Sequence, residues 1–137
     1  MSKQFGDGAQ GQILNGTDGK GGSVSDTTPI VSRIVPMVGL QIASFQLIAP
    51  GSLAGTWLIE ASNDYSTGGM SQPPYTGRWG DIRSTTDPAI PNAPGGSTAQ
   101  NVFVFTQPLT CRALRVTFTP TGGTGVPEVW AQAESMG

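Results

Sequence analysis

The chain has 137 residues, which is enough for one domain with a sizeable core but not for two. Its net charge is −2 and 12% of its residues are charged, so it has no basic surface for nucleic acid and no basic amphipathic segment for a membrane. Histidine is absent, which removes the commonest general base and metal ligand, and a single cysteine, Cys111, excludes an intrachain disulfide. Twenty glycines and eleven prolines suit an all-β domain rich in turns.

The first 28 residues are rich in glycine and contain few bulky apolar side chains, namely Phe5, Ile13 and Leu14. Glycine is costly to fix in one conformation, so this segment orders only if something holds it. Two interpretations stay open: a disordered tail, or an arm that docks on a neighbouring subunit through these three residues. No apolar signal core or membrane-spanning run is present, so we expect the chain to stay in the cytoplasm or to leave by lysis.

Three strand-like runs follow. Residues 30–38 are apolar with Pro29 and Pro36 near their ends, which predicts an edge strand. Residues 41–49 and 56–62 alternate apolar and polar side chains, the period-two pattern of half-buried strands. These runs form either a meander or parts of two sheets.

Residues 63–100 are long and poorly patterned, and a short strand over 78–83 interrupts them. Connections of this length are often functional or disordered. With few charges and the aromatics Tyr65, Tyr75 and Trp79, the stretch predicts a contact surface. Trp79 serves there either as a platform for a sugar ring or as an anchor for a protein partner.

The last strands are predicted over residues 102–106, 111–119 and 128–134. Both faces of the run 102–106 are apolar, which predicts a central strand covered on both sides. Trp130 shares its face with polar neighbours, so it lies in an interface or is capped by the long loop. The pattern as a whole predicts an all-β sandwich of about eight strands over residues 29–137, preceded by an extended glycine-rich N-terminal arm over 1–28.

The sequence predicts no catalytic residue, no cofactor and no metal site, and therefore no enzyme. Glu60 lies on a strand face, while Asp64 and Asp81 lie in turns, so these carboxylates do not form a general acid–base pair. Asn63 and Asp64 carry oxygen ligands suited to calcium, but an Asn-Asp pair after a strand is first a turn signal.

Three segments carry a resemblance to a known group of proteins: residues 55–64 (GTWLIEASND), 79–82 (WGDI) and 112–119 (RALRVTFT). Their order resembles that in small structural proteins of tailed bacteriophages and, more distantly, in discoidin-like jelly-roll domains. The resemblance covers about residues 40–137. The chain's size and glycine-rich start are also similar to those of capsid cement, or decoration, proteins, which implies a jelly-roll fold, self-association and no catalysed reaction.

The function expected from this resemblance is that of a virion protein, made in the bacterial host cytoplasm and placed on the capsid exterior. It would bind across major capsid protein subunits and associate with itself as a dimer or trimer. The residues expected to bind partners are Phe5, Ile13, Leu14, Tyr65, Tyr75, Trp79 and Trp130. One alternative is a tail or head–tail adaptor. Another is a carbohydrate-binding module, with Trp79 and Tyr75 as the platform and Asn63, Asp64 and Arg78 as hydrogen-bonding groups.

Overall fold

A computed structural model describes residues 10–65 and 77–136 of the chain. Over these residues the protein consists of two antiparallel β-sheets packed face to face, with one short 3₁₀ turn, Arg83–Thr85. The predicted all-β sandwich is confirmed. No helix in this part of the chain has the length and hydropathy needed to cross a membrane.

The first sheet has the strand order β1-β11-β4-β9-β7, and the second has β2-β10-β5-β6 with β3 also on β10 and β8 also on β5. Of the eleven strands in the described residues, five are two residues long, so six strands build most of the sandwich. The strands are β1 (Gln10–Asn15), β2 (Ile30–Val31), β3 (Val35–Pro36), β4 (Ile42–Ala49), β5 (Ala54–Ser62), β6 (Gly80–Asp81), β7 (Thr86–Asp87), β8 (Ala93–Pro94), β9 (Gln100–Thr106), β10 (Ala113–Gly122) and β11 (Glu128–Glu134).

The core lies between the sheets and follows the period-two pattern of the sequence. Every second side chain is buried along β4, and the same alternation occurs along β11, the adjacent strand of the sheet. Trp57 of β5 and Phe118 of β10 pack ring against ring at 4.5 Å between centroids, in the middle of this core. From β4 onward the long strands lie alternately in one sheet and the other, so the chain crosses repeatedly between the two sheets.

The N-terminal segment differs from the predicted free arm. Residues 10–15 form β1, an edge strand of the first sheet that pairs with β11. Its register shifts between Gln12 and Leu14, so two consecutive side chains, Ile13 and Leu14, both turn inward and are buried. These two residues, predicted to dock on a neighbouring subunit, instead belong to the chain's own core. Phe5 lies outside the described residues.

Two other predicted strands need correction. Residues 30–38 do lie at a sheet edge, but as the two short strands β2 and β3 on β10. They are separated because the Ser32 hydroxyl accepts a hydrogen bond from the Val116 amide, which replaces regular pairing there. Residues 102–106 lie in β9, next to the short β7 rather than at the centre, and only one face of β9 is covered.

Candidate functional site

The outer face of the first sheet carries exposed aromatic side chains. Phe103 and Phe105 alternate with buried residues along β9, and 55% and 48% of their surfaces are exposed. Trp130, at 41% exposed, lies on the same face two strands away, on β11. We call this surface the aromatic face. It consists of these three residues, of Ser44 and Gln46 on the strand β4 between them, and of Gln132 beside Trp130 on β11.

Strand register places the aromatic residues on either side of β4. Gln46 pairs with Trp130 on one side and with Phe103 on the other. Ser44, two residues earlier, pairs with Gln132 and with Phe105. The polar side chains of β4 therefore form the floor of a groove. Phe103 and Phe105 of β9 form one wall, and Trp130 and Gln132 of β11 form the other.

The polar groups around the groove are partly tied to one another. The Trp130 indole N–H donates to the Glu128 carboxylate at 3.2 Å, and the Gln12 amide donates to the same oxygen at 2.9 Å. The Gln46 amide donates to the Asn101 side-chain oxygen at 3.0 Å. These bonds fix the orientation of the tryptophan wall and of one floor residue.

The groove itself contains two shallow cavities, of about 450 Å³ and about 300 Å³. Both are lined by Ser44, Phe103 and Gln132, so they join into one channel across the face. The outward side chains of β4, β9 and β11 include two carboxylates, Glu128 and Glu134, and no lysine or arginine. The aromatic face is therefore apolar with neutral hydrogen-bonding groups and a slight negative charge at its rim.

A second aromatic cluster lies on the opposite side of the sandwich. Tyr65 and Trp79 are in contact, with ring centroids 5.5 Å apart. The Arg115 guanidinium lies over the Trp79 ring, 4.3 Å from its centroid, and is also paired with Glu60 at 3.0 Å. One face of the indole is thus covered by a cation, which stabilises the ring in place but leaves less of it free for a ligand.

The charged groups named for the carbohydrate alternative bind each other. The Asp64 carboxylate accepts hydrogen bonds at 2.7 Å from both the side chain and the backbone N–H of Arg78. With a further bond from the Ser62 hydroxyl, these donors lower the Asp64 pKa to about 2. Asn63, beside them, is exposed. Tyr75 falls outside the described residues.

The carboxylates close in sequence are occupied in the same way. Glu60 pairs with Arg115 and Asp81 with Arg83, so each serves a local ion pair. Among the residues that the structure describes, no group of three or more His, Cys, Asp or Glu side chains could hold a metal ion.

The predicted partner-binding residues are therefore not brought into one site. Trp130 belongs to the aromatic face, Tyr65 and Trp79 lie on the opposite sheet, and Ile13 and Leu14 are buried. Sequence reasoning missed Phe103 and Phe105, because a strand with apolar residues on both faces reads as fully covered. No local signal separated the outward Phe103 and Phe105 from the inward Val104, because all of these residues are apolar.

Searches against protein-family models, curated proteins and solved structures find no match for this chain.

Proposed function

We propose that this protein is a non-catalytic binding protein whose aromatic face docks on a protein partner. In the specific form suggested by the sequence resemblance, it is a capsid cement protein of a tailed bacteriophage. It binds major capsid protein subunits on the capsid exterior after synthesis in the host cytoplasm. The observation that carries the proposal is the exposure of Phe103, Phe105 and Trp130 on one side of the sandwich.

The exposed aromatic area is comparable to the largest apolar patch of a typical monomer. Each aromatic side chain offers about 150–250 Å², so rings about half exposed present roughly 300 Å² together. Patches of that size on a monomer often mark an interaction site. Interfaces are enriched in tryptophan and phenylalanine and poor in charge, as this face is.

The same area explains why self-association belongs to the proposal. At about 25 cal/mol per Å², burying roughly 300 Å² contributes about 7 kcal/mol. Association alone costs about 4–15 kcal/mol, so one aromatic face gives weak binding. A dimer or trimer presents several faces at once, and the effective concentration of the second and third faces makes the assembly bind tightly.

Co-sedimentation with assembled capsid shells tests the proposal. The wild-type chain should pellet with the shells, and a Phe103→Ser/Phe105→Ser double variant should stay in the supernatant. Val38→Ser removes an apolar side chain that is 72% exposed but lies outside the aromatic face, and it should pellet like wild type. Light-scattering mass on the same samples should show a dimer or trimer.

Two results would contradict the proposal. A wild-type chain that ignores shells would remove the cement function. A chain retained on immobilised neutral sugars, with retention lost in a Trp79→Ala variant, would move the function to the opposite sheet and favour the carbohydrate alternative.

A further inference from the structure

We infer that the aromatic face binds an extended, uncharged or basic polypeptide segment of its partner, lying along β4 between the walls formed by β9 and β11, rather than a flat protein surface. The inference rests on the proposed function, since it names what the partner presents to that face. It follows from the width, spacing and polarity of the groove.

The width of the groove fits one extended chain. Trp130 and Phe103 are both paired with Gln46, on opposite sides. Since neighbouring strands lie about 4.8 Å apart, the two walls rise from backbones roughly 10 Å apart. After the thickness of the rings is subtracted, the remaining space is close to the width of a single strand.

The size of the face argues against a flat partner surface. A stable protein interface buries about 800 Å² on each partner, so the rings, at roughly 300 Å², supply only part of it and the partner must also contact the polar side chains of the groove. The groove contains cavities of about 450 Å³ and about 300 Å³, and a segment that enters the groove fills this space. A segment that enters the groove contacts both walls and the floor and buries more of the available area.

The spacing of the rings matches a polypeptide. The centroids of Phe103 and Phe105 are 6.1 Å apart, close to the two-residue repeat of an extended chain, about 6.6–6.8 Å. Alternate side chains of a bound segment therefore meet successive rings. The two ring planes are inclined by 62° and do not form one flat platform, the arrangement that would suit stacking of consecutive sugar rings.

The polarity of the groove suits a peptide backbone. The side chains of Ser44 and Gln132 make no hydrogen bond within residues 10–65 and 77–136, and they line both cavities. They offer hydroxyl and amide groups to the N–H and C=O of a bound segment. Glu128 and Glu134 at the rim disfavour an acidic segment and favour a neutral or basic one.

Filling the groove distinguishes a bound segment from a flat partner. Ser44→Phe places a ring on the floor between the walls, which levels the face and adds apolar area. A partner with a flat surface would bind this variant at least as well, whereas an extended segment would be blocked. The matched control, Thr119→Phe, adds the same ring to an outward position of β10 in the other sheet.

We expect shell binding by Ser44→Phe to weaken at least tenfold and that by Thr119→Phe to match wild type, with circular dichroism confirming that both fold. Gln46→Phe fills the next floor position and serves if Ser44→Phe does not fold. Undiminished binding by a folded, groove-filled variant overturns the inference but leaves the proposed function standing. Failure of the wild-type chain to bind shells removes the proposed function.

A random peptide library selected on the wild-type protein, with Ser44→Phe as the counter-selection, tests the groove without shells. We expect enrichment of sequences with apolar residues at alternate positions and few acids. No enrichment, or retention on neutral polysaccharide that Ser44→Phe loses, overturns the inference.

Discussion

Replacing Leu14 by alanine tests whether the N-terminal segment is part of the folded domain. Leu14 is 4% exposed, so the change removes about three buried carbon groups, worth about 0.8 kcal/mol each in transfer free energy. The space left behind adds to this loss, although an edge strand such as β1 can settle inward and fill part of it. We expect the free energy of unfolding to fall by about 3 kcal/mol and the Tm to fall by roughly 10 °C.

Urea denaturation followed by tryptophan fluorescence measures the change, with Val38→Ala, at a largely exposed position, as the control. Val38→Ala should stay within about 0.5 kcal/mol of wild type. If Leu14→Ala is equally mild, β1 does not contribute to the core and residues 10–28 are a separate arm after all. A large effect means that deleting residues 1–28 would damage the fold, so a truncation that tests Phe5 should stop before Gln10.

Three further predictions concern the pH response, the turns and the cysteine. Asp64 should titrate near pH 2 in the folded protein by carboxyl NMR, and Arg78→Ala should raise its pKa toward the ordinary value near 3.8, since the Arg78 bonds are the main cause of the shift. Because folding lowers the Asp64 pKa, ionised Asp64 stabilises the fold above pH 3.8, and this stabilisation is lost as the pH falls toward 2. A free energy of unfolding that does not change between pH 3.8 and pH 2 in the wild type would refute this prediction. Gly123→Ala should destabilise by about 3 kcal/mol or more, because its φ is +76° and a Cβ would collide with a carbonyl oxygen of a facing turn. Gly51→Ala, at φ +50° with open space around the Cβ, should lower the free energy of unfolding by about 1 kcal/mol. If urea denaturation shows equal losses for the two variants, the structure relieves the collision at position 123. Burial raises the pKa of the Cys111 thiol, so it should react with a disulfide reagent more slowly in the native protein than in urea, and equal rates would show that burial does not protect the thiol.

The strands that alternate cleanly were predictable from sequence. β4, β5 and β11 bury mainly one face, and β10 keeps the same alternation in its sequence, so the period-two pattern alone located them to within a few residues. Long-range pairing was not predictable, because nothing local says which strand lies beside which. β1 was missed for this reason: its inward residues, Ile13 and Leu14, are adjacent because of a register shift, and consecutive apolar residues among glycines show no strand period.

The candidate site was predictable only in part. Trp130 stood out because a large aromatic shared a face with polar residues. Phe103 and Phe105 did not, because exposed and buried apolar residues look alike in a sequence, and only the position of β9 in the sheet separates them. At Trp79 the loop context could not show that Arg115, distant in the chain, lies over one face of the ring.

The pairing of β1 with β11 has a consequence for how the chain folds. The hydrogen-bonded residues Gln12 and Glu128 are 116 positions apart, so the partner of the first strand leaves the ribosome long after it. β4 also pairs with β11, so until that strand arrives the first sheet has a gap between β1 and β4. Closing so long a loop is entropically costly, and folds dominated by such contacts form in milliseconds to seconds rather than microseconds. During synthesis β1 and β4 thus stay unpaired along these edges until β11 completes the sheet between them.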